Sequence, residues 1–160
     1  MRKELVAFHD NPKIKAKYLK RLATHRKAGA FVSDIWWDSH SKIGCAVGCT
    51  IHSTNPDLFE TELGIPASVA WLEARIHGKW LGDRLDTFAE EVLEAITPGH
   101  DLSLVAAHFV YWLLTSPSGP RGKCSSGDVV LFDQVTALYV QIINEREPSK
   151  IAWETAECLV

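Results

Sequence analysis

Apolar residues recur along this chain at intervals of three and four, and no run alternates at two, so helices are what the sequence can build. The plainest case is residues 83–96. Leu85, Phe88, Ala89, Val92, Leu93 and Ile96 fall on one face, with Asp86, Glu90, Glu91 and Glu94 outside. Asn11-Pro12 is a helix start, Asn as the cap and Pro in the first turn. Ile14, Tyr18, Leu22 and His25 then share a face up to Gly29, which predicts a basic amphipathic helix over about 12–28. Residues 57–63 suit a short helix. Pro66 opens another, in which Val69, Leu72 and Ile76 share a face, Glu73 sits on the flank, and Gly78 and Gly82 end or interrupt it. A helix capped by Asp101 or Ser103 and running to Thr115 is apolar nearly all round, which predicts a central position. Residues 128–145 form a long helix with Val129, Phe132, Val135, Leu138, Tyr139 and Ile142 inside, and Pro148-Ser149 caps a short one through Trp153. Residues 30–43 fit a helical turn or an extended stretch equally. Residues 116–127, rich in Gly, Ser and Pro, form the one long flexible loop. A chain of 160 residues without internal repeats predicts a single compact all-α domain of six to eight helices.

The composition, 46% hydrophobic and 23% charged, excludes a disordered or fibrous chain. Leu5-Val6-Ala7-Phe8 is too short for a leader, which needs about 7–15 apolar residues. The longest apolar run, residues 109–114, is far short of the roughly 20 that cross a membrane. The expectation is a cytoplasmic protein without membrane contact, whose Cys45, Cys49, Cys124 and Cys158 stay reduced. Charge is unevenly placed. Residues 1–28 carry nine Lys/Arg against Glu4 and Asp10, while the remainder carries eight against eighteen Asp/Glu. Such asymmetry suits an anionic partner, nucleic acid or protein, with Lys13, Lys17, Lys20 and Arg21 as the contacts. The plainer reading, and the favoured one, is a basic helix lying on its own acidic body.

Chemistry concentrates in Gly44-Cys45-Ala46-Val47-Gly48-Cys49-Thr50-Ile51-His52. Read as a helix, it puts Cys45, Cys49 and His52 at i, i+4 and i+7, on one face. Gly44 and Gly48 leave that helix open to close approach, at a cost of about 1 kcal/mol each. One reading makes Cys45 a nucleophile in the first turn, its thiol acidified and its oxyanion stabilised by free backbone N–H groups. His40, His100 or His108 would be the base, with Asp101 orienting His100. A cysteine-dependent hydrolase or transferase follows. A second reading gathers Cys45, Cys49 and His52 with His40 or Asp38 around zinc, but the Cys-x3-Cys spacing is not the usual one, and no metal or other cofactor is expected. A third makes the segment a ligand or partner site, with Gly44 and Gly48 admitting the ligand and Trp36, Trp37, Cys49 and His52 beside it.

The blocks Gly44–Ser53, Glu60-Thr61-Glu62-Leu63-Gly64-Ile65-Pro66 and Trp71-Leu72-Glu73, followed by Ala95–Ser103 and Trp112-Leu113-Leu114, resemble a family of uncharacterised bacterial and phage proteins. The likeness runs to about Pro148-Ser149. It departs at Ile76-His77-Gly78-Lys79-Trp80, where relatives tend to read Ile-Phe-Glu-Gly-Leu-Pro. Several relatives continue into Ala-rich tails. The resemblance assigns no activity and no catalytic residue. It implies a phage- or prophage-type accessory protein that binds a host macromolecule, for example to blunt a defence system.

Overall fold

Asn11 starts the first helix by the expected chemistry: its side-chain oxygen accepts from the Lys13 N–H at 3.0 Å. The computed structural model describes residues 4–79, 84–123 and 126–157. Among them are eight α-helices: α1 (Pro12–Lys27), α2 (Ala46–Ile51), α3 (Leu58–Leu63), α4 (Ala67–Lys79), α5 (Phe88–Ala95), α6 (Val105–Thr115), α7 (Ser126–Ile143) and α8 (Lys150–Glu157). The only sheet among the described residues is a hairpin of two-residue strands, β1 (Trp37–Asp38) and β2 (Ile43–Gly44), with Trp37 opposite Gly44. The fold is all-α. Contacts divide it into two compact units, the first up to Ser103 and the second from Leu104, each described by itself below.

In the first unit α2 is the axis. All six of its residues are buried, and α1, α3, α4 and α5 pack on it. Phe8, Tyr18, Leu22, Val47, Cys49, Phe59, Leu63, Ile65 and Leu93 complete the core. The chain enters this unit through a left-handed turn, with φ near +50° at Phe8, His9 and Asp10. Left-handed residues other than glycine cost about 1–2 kcal/mol each. The Ala7 N–H donates to the His100 carbonyl at 2.8 Å, and the Gly99 N–H donates to the Ala7 carbonyl at 2.9 Å. These bonds, with Phe8 fully buried, hold the turn.

Three expectations are corrected in this unit. The buried face of α4 carries Ala70, Glu73 and His77, while Val69, Leu72 and Ile76 are only half-buried. Glu73 therefore leaves the flank for the core. The acidic helix begins at Phe88, because residues 84–87 form a turn in which the Thr87 hydroxyl donates to the Glu91 side chain, leaving no side-chain cap on the backbone. Asp101 and Ser103 do not cap α6. The Asp101 carboxylate accepts from the Ser103 N–H at 2.8 Å, and the Ser103 hydroxyl accepts from the Leu5 N–H at 2.9 Å, so both hold the N-terminal segment. Gly82 and Trp80 lie outside the described residues.

In the second unit α7 packs against α6 and α8. The expected central place of α6 is not found: only Ala107 of its eleven residues is buried, and Phe109, Tyr111, Trp112 and Leu113 are exposed. The 116–127 segment holds a 3-10 turn, Pro120–Lys123, and Arg121 pairs with Asp133 of α7 at 2.8 Å.

Candidate functional site

The conspicuous glycines, Gly44 at the end of β2 and Gly48 in α2, are explained by a crossing of backbone. The Ile35–Trp37 segment runs over the start of the helix, and the Cys45 N–H donates to the Ile35 carbonyl at 2.7 Å and more weakly to that of Trp36. A Cβ on Gly48 would lie 1.6 Å from the Trp36 carbonyl oxygen, and one on Gly44 would lie 2.4 Å from it. The glycines admit a neighbouring strand of this same chain, which occupies the approach a ligand would need.

The thiols sit in that covered region. Cys45 precedes the helix in extended backbone and is 3% exposed. Burial pushes its thiol up, and the Gly48 and Val47 N–H groups only partly oppose this. Those N–H groups, which an oxyanion would use, already face the sulfur. Cys49 is fully buried; its thiol points to the Gly44 carbonyl at 3.3 Å and is pushed up to about 12 by burial. A nucleophile needs the opposite shift. His40 is exposed in the β1–β2 turn, its N–H donating to the Asp38 carboxylate at 2.8 Å. His100 and Asp101 are exposed beside the N-terminal segment. His108 belongs to the second unit. Cys124 and Cys158 lie outside the described residues.

The expected shared face of Cys45, Cys49 and His52 breaks at His52. The helix ends at Ile51, and His52 turns left-handed at φ 54°. Its ring then stacks on Trp37, with centroids 4.5 Å apart and planes 9° from parallel. One Nε2–H of the pair His25–His52 donates to the other Nε2 at 2.8 Å. Two imidazoles bonded this way cannot both be protonated. Burial and the nearby Arg21 guanidinium hold His25 below its usual range, and the same two causes, with His25 itself, bring His52 down to about 4. No group of three or more His, Cys, Asp or Glu among the described residues is placed to hold a metal ion.

Helix α1 splits its cations between two uses. Lys15 Nζ donates to the Glu94 and Ile96 carbonyls, each at 2.8 Å, and Arg26 pairs with Glu90 at 2.7 Å, so this side lies on the acidic α5. Arg21 turns inward, donating to the Thr50 carbonyl at 2.6 Å and lying over the Tyr18 ring, whose hydroxyl donates to Glu62. Lys13, Lys17 and Lys20 remain exposed at i, i+4 and i+7, Lys17 also lying over the Tyr18 ring. Of the four expected contacts, Lys13, Lys17 and Lys20 are exposed at the surface and Arg21 is a brace between α1 and the end of α2.

Trp36 and Trp37 point apart, as neighbours in an extended segment do. Trp37 meets His25 and His52, while Trp36 meets Trp71 of α4 edge to face at 5.1 Å. Sequence reasoning missed two buried polar groups. Glu73 and His77, one turn apart on α4, are 2% and 1% exposed, and among the described residues neither the Glu73 carboxylate nor the His77 ring has a hydrogen-bond partner within normal geometry. Burial alone pushes the Glu73 carboxyl up to about 8. Burial lowers His77, against smaller opposing effects of the Leu85 backbone and Asp86. The signal was available: Ala70, Glu73 and His77 also recur at three and four. No family model, curated protein or solved structure matches this chain.

Proposed function

We propose that this chain works by binding a macromolecule, not by covalent catalysis, and that it takes an anionic partner of nucleic-acid chemistry on the exposed face of α1. The observation that carries this reading is the division of α1: Lys15 and Arg26 are spent on α5, and Lys13, Lys17 and Lys20 are left as an exposed row. A helix needing lysines only to lie on its own acidic body would not keep that row. The raised thiols of Cys45 and Cys49 weigh against the cysteine-enzyme alternative. The resemblance to phage-type proteins adds that the partner is a host macromolecule and the role accessory, with counter-defence as one form of it.

The test is fluorescence anisotropy with labelled single-stranded and duplex oligonucleotides and an acidic protein control, between about 50 and 200 mM salt. The expected result is binding to nucleic acid that weakens steeply with salt. Changing Lys13, Lys17 and Lys20 together to Glu should abolish it, and single changes to Ala should each lower the salt slope by about one. Nucleic-acid binding that the triple change leaves intact, or no nucleic-acid binding at all, overturns the reading; binding to the acidic protein alone moves the partner to the protein class.

A further inference from the structure

A groove of about 290 Å³ opens beside α4, between its Trp71–Lys79 side and the segment Ser33–Trp36. This is close to the lower end, roughly 300 Å³, of the range seen for small-molecule sites. Its contents are unusual for a helix surface. Trp71 leaves 48% of its area in water while its ring meets Trp36 edge to face, the planes 74° apart. Arg75 and Lys79 follow Trp71 at intervals of four, about 6 Å apart along the helix, and line the same groove. No ion pair or hydrogen bond engages either cation among the described residues. Asp34 stands on the facing wall.

We infer that this groove binds a nucleoside phosphate: a planar base on the open face of Trp71, its phosphate on Arg75 and Lys79. The residue types fit that order. An indole packed edge to face on a second indole, with about half of its area still in water, offers π-surface on which bases stack whatever their identity. Two cations in line with the ring suit a charge carried at a fixed distance from the base. The Asp34 carboxylate offers an acceptor for a sugar hydroxyl or a base amine. A purely structural use explains less. An indole covering the core would not stand half in water, and an arginine kept for helix pairing would have an acid at i±4. For Arg75 those positions are Trp71 and Lys79. The site is separate from the lysine row of α1, because Trp36 faces this groove and Trp37 faces His25 and His52 at the end of α1.

The ligand can be a free mononucleotide or the 5′-phosphorylated end of a strand. Titration calorimetry on the full chain distinguishes them, with AMP, GMP, adenosine, inorganic phosphate and a 5′-phosphorylated trinucleotide as probes. The expected result is saturable binding of AMP or GMP, at least tenfold tighter than of adenosine or inorganic phosphate. Trp71→Ala and Arg75→Glu should each weaken it at least tenfold with the far-UV spectrum unchanged, both being surface residues. The triple change of Lys13, Lys17 and Lys20 should leave it unaltered, so this inference and the proposed function fail separately. A trinucleotide that binds more tightly than AMP assigns the site to strand ends, and equal affinity assigns it to free nucleotide; both support the chemistry. No saturation by any nucleoside phosphate at several millimolar overturns the inference, as does inorganic phosphate binding as tightly as AMP, or Trp71→Ala binding as well as the parent chain.

Discussion

Glu73 brings a carboxyl into the core with no donor to meet it among the described residues, and Leu or Met at the same place would fill similar volume without that burden. The folded chain holds the Glu73 proton up to about 8, whereas an ordinary glutamate releases it at 4.5. Stability from this group is therefore undiminished below 4.5, falls as pH rises, and is lower by about 5 kcal/mol once pH passes 8. Glu73→Met should remove that alkaline decline, which urea unfolding between pH 4 and pH 9 would read directly as a flattened curve. A slope unchanged by the substitution would show that the carboxyl finds a partner in solution. His52 acts in the other direction. Its folded form stays neutral down to about 4 against an ordinary 6.5, so the stability it adds is present above 6.5 and lost as pH falls through that window. The same titration series should show an acid limb that His52→Gln reduces.

At the scale of elements, α2 is a short helix kept in place by what crosses it. Alanine at position 48 would improve intrinsic helix propensity by about 1 kcal/mol. Its Cβ would nevertheless need the space 1.6 Å from the Trp36 carbonyl, and moving that backbone means unseating the hairpin. Gly48→Ala should therefore destabilise by about 3 kcal/mol or more in thermal or urea unfolding. Gly29→Ala is the contrasting case, with open space around its Cβ and only a φ of +62° to oppose it, for a cost of about 1 kcal/mol. Equal losses at the two positions would contradict the crossing. Gly44 and Gly48 were legible as exceptional, since two glycines in a segment read as one short helix oppose propensity, but the reason was not, and Gly44 in fact ends β2. The reason is a contact with Trp36 and Trp37, seven to twelve positions earlier, in a segment whose state the sequence left open. The cap at Asn11, the buried face of α1 and the existence of most helices were legible because each is settled by neighbours within a turn or two. The face of α4 was misread because Val69, Leu72 and Ile76 outrank Glu73 and His77 in apolarity, while tertiary packing placed the latter pair inward. For α6, an apolar sequence states what would gain by burial, not whether enough neighbouring surface exists to bury it.

For the whole molecule, the two units differ in how much they shield. The continuous hydrophobic core runs from Ala7 to Leu93, all within the first unit. Among the described residues of the second unit, the buried hydrophobic side chains are Ala107, Leu138 and Ala156. Local opening free energies follow buried apolar contact. Amide hydrogen exchange should therefore be slowest in α1 and α2 and faster by orders of magnitude in α6 and α8, under conditions where the whole chain remains folded. Uniform protection across both units would mean that the second is covered in solution by a partner or a second copy. No described helix is long and apolar enough to cross a membrane. Charge too is unequal: the basic excess belongs to the first 28 residues and the acidic excess to the remainder.

The backbone crossing over Gly44 and Gly48 bears on how any kin of this chain would be found. A search pattern built on its most memorable letters, Gly-Cys-x2-Gly-Cys, selects for chains that must let one strand pass against one helix. What it retrieves is a shared way of folding, and proteins with quite different tasks can carry it. If the two proposals above hold, the letters that would retrieve a shared task are plainer and more scattered: Lys13, Lys17 and Lys20 along one helix, and Trp71, Arg75 and Lys79 along another.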